Sequence, residues 1–253
     1  MEAREYDALA AVEFDHWWFR GLHPVLIGWI RDRAVGPDVR VLDAGCGTGG
    51  FAAKLNAAFP AGATAFDLSC RAATYWPERR LTTACVASIE HIPFAAAQFD
   101  AVVSVDVLES EGIEPRRAIR ELARVLRPDG WLLIVVPAYR WMLDDAHHHA
   151  VRAVRRFARR EATDLIRNEG LEVLRSTHFF ALPFPAIALR RLLVKIWRRP
   201  QSTSDLAMPP AWLNRLLIGM MRLEARLLRW TDMPFGTSIL LLARKTGTPL
   251  AHG

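Results

Sequence analysis

An apolar run, VRVLDA from Val39 to Ala44, leads directly into Gly45, Gly47, Gly49 and Gly50 and then into a stretch with helical periodicity. Glycines at such a junction permit a tight turn and let a ligand approach the backbone closely. The amides at the following helix start favour a polar or anionic group. A second apolar run ends at Asp67, 22 positions after Gly45, where a carboxylate can take the hydroxyls of a ribose. Gly45, Gly47 and Gly50 also satisfy the GxGxxG spacing of dinucleotide sites. Loop and acid together point to an adenosine-containing ligand and leave the choice of cofactor open.

Candidates for proton transfer lie further along. His147, His148 and His149 stand in WMLDDAHHHA just after the fifth apolar run, while Asp106 stands at the end of the fourth and Glu109 just beyond it. Imidazoles and carboxylates at the end of a strand are the groups a general base requires. The plainer alternatives are an exposed histidine run and, for Glu109, an acid at a helix start. No metal site is expected, because adjacent loop residues such as Asp144, Asp145 and the histidines rarely supply three ligands to one ion. Cys46, Cys70 and Cys85 form no CxxC or Cys/His spacing, which fits free thiols in a reducing compartment.

The elements that must position these groups read as an alternation. Val39–Gly45, Ala63–Ser69, Thr82–Ser88, Ala101–Val107 and Trp131–Pro137 are strand-like. FAAKLNAAF and PRRAIRELARVL have helical spacing, the latter opened by Pro115. Strand–helix alternation implies a mostly parallel sheet with helices on both faces. RRFARREATDLIRNEG reads as a further helix, and Leu171–Phe179 and Thr237–Arg244 as two closing strands. The chain divides into a helical cap over 1–36 lying on the open edge, a core over 37–180, a helical region over 181–236 and a last strand over 237–246.

VLDAGCGTGG, ATAFDLS, IPFAAAQFDAVVSVDVLES and LARVLRPDGWLLIVVP come in the order and at the distances found in class I S-adenosylmethionine (SAM)-dependent methyltransferases. The chain resembles the type 11 methyltransferase domain family across residues 39–137. HWWFRG and MPFGTSILLLARK resemble outer elements of the same group. The resemblance implies a Rossmann-like α/β fold with a seven-stranded, mostly parallel sheet. It also implies roles for named residues. Gly45, Cys46, Gly47 and Gly49 would shape the methionine-side pocket, and Asp43 would organise the loop. Asp67 would take the ribose hydroxyls, and Leu68 and Ile89 would border the adenine. Asp106 would face the methionine part or the acceptor, and Trp18 and Arg20 would close over the cofactor. Two positions depart from the family pattern: Ser88 stands in place of an adenine-binding acid and would bind the cofactor by accepting one hydrogen bond, alone or with the Ile89 backbone, and Ser110 replaces the histidine of VLEH.

Methyl transfer is an in-line displacement from a donor that carries its own charge and leaving group. Alignment and water exclusion therefore matter more than a strong base. The expected acceptor is a small molecule, hydrophobic, lipid-linked or a natural product. Competing readings are a nicotinamide-dependent oxidoreductase and a SAM-fold protein that binds without catalysis. Net charge is unevenly placed, −4 over residues 1–138 and +10 over 139–253. The basic, Trp- and Leu-rich region 181–236 suits an acceptor lid or peripheral contact with an anionic membrane. No nucleic-acid partner is expected, since no recognition motif accompanies the charge. The N-terminus lacks a signal-like apolar run and no stretch is long enough to span a bilayer. The expected location is the cytoplasm, with the inner membrane face as a site of contact.

Overall fold

Seven strands make one sheet in the computed structural model, which describes residues 3–142, 153–196 and 207–247. They are β1 (Val41–Ala44), β2 (Ala63–Asp67), β3 (Ala84–Val86), β4 (Phe99–Val105), β5 (Leu126–Pro137), β6 (Leu171–Phe179) and β7 (Ser238–Lys245). The order is β3-β2-β1-β4-β5-β7-β6, and only β7 runs antiparallel to its neighbours. The chain winds outward from β1 to β3 and then returns to β4. The strand order reverses between β1 and β4, which leaves a crevice at their carboxyl ends.

Eight helices complete the described fold: α1 (Ala3–Val12), α2 (Trp17–Arg31), α3 (Gly50–Ala58), α4 (Cys70–Ala73), α5 (Pro115–Val125), α6 (Arg159–Arg167), α7 (Phe184–Ile196) and α8 (Ala211–Leu227). Alternate strand residues feed two cores, as a period of two requires. Val41, Val103, Leu133 and Leu240 pack under α2, α3 and α8. Leu42, Val102, Leu132 and Leu241 pack under α5 and α6. α5 starts where the sequence places it. The Glu114 carboxylate accepts from the Arg116 and Arg117 amides at 3.0 and 2.8 Å, and Pro115 opens the first turn.

Three boundaries differ from expectation for local reasons. α6 begins at Arg159 rather than Arg155, because the Phe157 amide donates to the Pro137 carbonyl at 2.9 Å and holds that segment against β5. β3 shrinks to three residues at the sheet edge, with one neighbour to pair with. α2 lies on a sheet face rather than over the open edge. Its apolar stripe of Leu22, Leu26 and Ile30 is fully buried with Val41, Val103 and Leu133, which an edge could not cover.

Candidate functional site

The glycine loop leaves β1 in the reversal crevice. Gly45 has φ +88°, and a Cβ there would lie 2.3 Å from Val107 Cγ2, so only glycine fits beside the chain leaving β4. The Gly45 and Cys46 amides both donate to the Phe66 carbonyl at 2.9 Å, which ties the loop to the end of β2. Asp67 sits at that end. Its Oδ2 accepts from the Gly47 amide at 2.8 Å and its Oδ1 from the Ser69 amide at 2.9 Å. Each oxygen keeps a further acceptor site, so the side chain can shape the loop and still receive hydroxyl donors.

Three carboxylates face this region, and burial raises the pKa of each. Asp43, 2% exposed, is pushed up to about 8 by burial, with Asp67 and Glu13 adding repulsion; its Oδ2 has no hydrogen-bond partner. Burial raises Asp67 against the opposing pull of the Ser69 and Gly47 amides. Asp106, immediately after β4, has φ +50° and opens to solvent through the crevice. Protein surrounds the carboxylate closely enough to raise it to about 7, offset in part by the Arg156 guanidinium. Glu109 lies behind it, buried, pushed well up by burial and by Asp106, and its Oε2 has no partner. Cys46 is no nucleophile: burial and the nearby Asp43 and Asp67 hold its thiol protonated.

Sequence reasoning missed the cover of the loop, which comes from α1 and the turn after it. Glu13 Oε2 accepts from Thr48 Oγ1 at 2.7 Å and from the Gly50 amide at 3.0 Å. Its other oxygen pairs with Arg79 at 2.9 Å, and Arg79 also donates to the Ala10 carbonyl. Tyr6 is buried close to Asp67 and Ser69, and Asp7 holds Arg71 and Tyr75. Trp76 Nε1 donates to the Gly47 carbonyl at 2.9 Å from the other side.

The remaining site candidates are distributed unevenly. Leu68 is 67% exposed next to Asp67, an apolar side chain open at the crevice mouth. Ile89 is buried in the core under β2, so its backbone rather than its side chain can border a ligand. Ser88 Oγ accepts from the Glu90 amide at 3.2 Å. Gly49 caps α3 with φ +92°. Trp18 stacks on Phe180 at 5.4 Å, and Arg20 faces Asp15 at 3.8 Å; neither bonds to the glycine loop. His147, His148 and His149 lie outside the described residues, as do Asp144 and Asp145.

This arrangement discriminates between cofactors. In a dinucleotide site the pyrophosphate rests on the amides at the helix start after the glycine loop. Here the Glu13 carboxylate already holds the Gly50 amide, with Asp43 and Asp67 close enough to repel one another. A dianionic pyrophosphate meets repulsion in that setting. A nucleoside bearing a sulfonium and an ammonium relieves it, and offers the unpaired Oδ2 of Asp43 a compensating charge. The residues fit SAM.

Known proteins agree with this fit. Residues 42–134 match the model of a methyltransferase domain family. An uncharacterized methyltransferase of Bacillus subtilis (strain 168), YodH, is 32% identical over 121 residues, 45% of this chain and 51% of that protein. A ubiquinone biosynthesis O-methyltransferase of Xanthomonas campestris pv. campestris (strain B100) is 32% identical over 146 residues, 51% of this chain and 59% of that protein. The chain thus spans about half the length of these curated relatives. Geranyl diphosphate C-methyltransferase from Streptomyces coelicolor A3(2), solved with Mg2+, geranyl diphosphate and S-adenosyl-L-homocysteine, shares the fold. Its TM-score is 0.59 at 17% identity, covering 89% of this chain and 81% of that one. Over residues 42–134 the chain matches the type 11 methyltransferase domain family, and its sheet order and glycine loop are those of a Rossmann-like methyltransferase fold.

Proposed function

We propose that this protein transfers the methyl group of SAM to a small hydrophobic acceptor carrying an ionisable hydroxyl or acid. The supporting observation is the pair Asp43 and Asp67 beside a glycine loop whose helix start is already held by Glu13, with Asp106 directly after the neighbouring strand β4. SAM, when bound, supplies an electrophilic methyl and a neutral thioether leaving group. Asp67 would hold the ribose hydroxyls, and Gly45, Cys46, Gly47 and Gly49 would pass the amino-acid end. α1 and the turn after it would exclude water from the loop through Tyr6 and Glu13.

Asp106 carries the proton transfer in this reading. A carboxylate with a pKa of about 7 is part ionised near neutral pH, which suits a general base. Glu109 lies behind it, and burial and Asp106 both raise its pKa. His147, His148 and His149 stand as alternative bases. A ubiquinone biosynthesis O-methyltransferase among the relatives and a geranyl diphosphate C-methyltransferase among the structural neighbours favour a small acceptor with an apolar portion here. No described helix is long and apolar enough to cross a membrane. We place the enzyme in the cytoplasm, reaching such acceptors at the inner membrane face.

The test uses SAM labelled in the methyl group and a panel of hydroxyquinones, prenyl alcohols and fatty acids. Label is expected in the organic extract, and the rate should rise with pH through about 7 as Asp106 loses its proton. Asp106→Asn should remove that limb and lower kcat by about a hundredfold or more. Label passing only to water-soluble amines, or a pH limb surviving in the variant, overturns the assignment.

A further inference from the structure

The structure assigns α8 and its C-terminal turn a second role: a docking surface for anionic phospholipid bilayers. This goes beyond the methyl-transfer reading and does not depend on it.

The helix has three distinct faces. Met221, Glu224 and Leu228 are buried against the domain, and Glu224 accepts from the Ala181 and Leu182 amides at 2.9 and 3.0 Å. That carboxylate is the only acid between Ala211 and Trp230, and it is 0% exposed. Away from the domain run Trp212, Leu216, Leu223, Leu227 and Trp230, at exposures of 65, 55, 50, 39 and 89%. Their three-, four- and seven-residue spacing sets them in one stripe, with Gly219 filling the gap. Each of four arginines, Arg215, Arg222, Arg226 and Arg229, directly precedes one of these apolar residues. They form a parallel exposed row along one flank, and among the described residues none of them forms an ion pair.

The arginine row continues into a groove of about 410 Å³ between α2 and α8, where Arg20 and Lys54 join Arg222 above Ile218 and Met221. The outward surface of the helix is therefore apolar or cationic throughout. A water-facing helix gains nothing from two exposed tryptophans and three leucines in a line. A helix lying in the headgroup region buries such a stripe among acyl chains, seats its tryptophans at the interface and sets its arginines against phosphates. The charge complementarity selects an anionic surface over a neutral one. A second copy packed antiparallel on the stripe would set arginine beside arginine, whereas a phosphate surface meets the whole row.

Flotation tests this with the full chain and vesicles of phosphatidylcholine alone or with one third phosphatidylglycerol. The protein should float with the anionic vesicles, stay behind with the neutral ones, and be released by high salt. Tryptophan emission should shift to the blue on binding. Two variants separate the contributions, L223E/W230E for the stripe and R226E/R229E for the charge row. Each should lower partitioning by about tenfold or more. Both pairs are on the surface, so S-adenosylhomocysteine binding should persist in them, which keeps the outcome independent of the cofactor assignment. Absence of flotation with anionic vesicles overturns the proposal. So does flotation unchanged in both variants, dimerisation of the wild type that L223E/W230E abolishes, or binding to RNA in place of vesicles.

Discussion

Replacing Asp67 by alanine is expected to weaken S-adenosylhomocysteine binding by about a thousandfold, or ~4 kcal/mol. The carboxylate would lose two hydrogen bonds to ribose hydroxyls, each strengthened by its charge. It would also release the Gly47 and Ser69 amides that it holds at 2.8 and 2.9 Å. The loop would then lose part of its preformed shape, so ordering it on binding would oppose affinity further. Asp67→Asn keeps one acceptor oxygen and should lose about tenfold to a hundredfold. Titration calorimetry on both variants checks the order. Equal affinity in wild type and alanine variant would remove Asp67 from the site.

Glu13→Ala is expected to lower the melting temperature by about 10 °C, corresponding to ~3 kcal/mol. Glu13 is 3% exposed and joins four groups: Thr48, the Gly50 amide, and two donors of Arg79. Truncation leaves a largely buried guanidinium and a helix-start amide without their acceptor, and that loss dominates the cost of breaking a buried pair. Burial raises the pKa of Glu13 against those same hydrogen bonds, so the neutral isostere Gln should be tolerated much better than Ala. Thermal denaturation of the three proteins at neutral pH makes the comparison. A shift below about 2 °C in Glu13→Ala would mean that α1 is not latched to the glycine loop.

The Asp67 site was readable from the sequence because its parts are local. A strand, a glycine turn and a helix follow one another within twenty residues, and Asp67, the acid proposed to take the ribose, ends the next strand. Short continuous apolar runs likewise announced the central strands β1, β4 and β5, which are buried on both faces. The latch was not readable. Glu13 meets Thr48 at a separation of 35 residues and Arg79 at 66, and a single glutamate carries no pattern that names such partners. The aromatic run Trp17–Trp18–Phe19 drew attention instead. Its rings pack with Phe180 and His16 because large apolar side chains fill whichever core is nearest. The double stripe of α8 was visible as composition. Only the buried Glu224 and Met221 show which way the helix is turned, and hence that the tryptophans face outward.

The most direct measurement is calorimetric titration of the purified chain with S-adenosylhomocysteine, set beside the same titration with NAD. Saturable binding of the first at micromolar concentration, with no heat from the second, is the predicted result. Binding of NAD, or no affinity for the homocysteine nucleoside at millimolar concentration, would contradict the account.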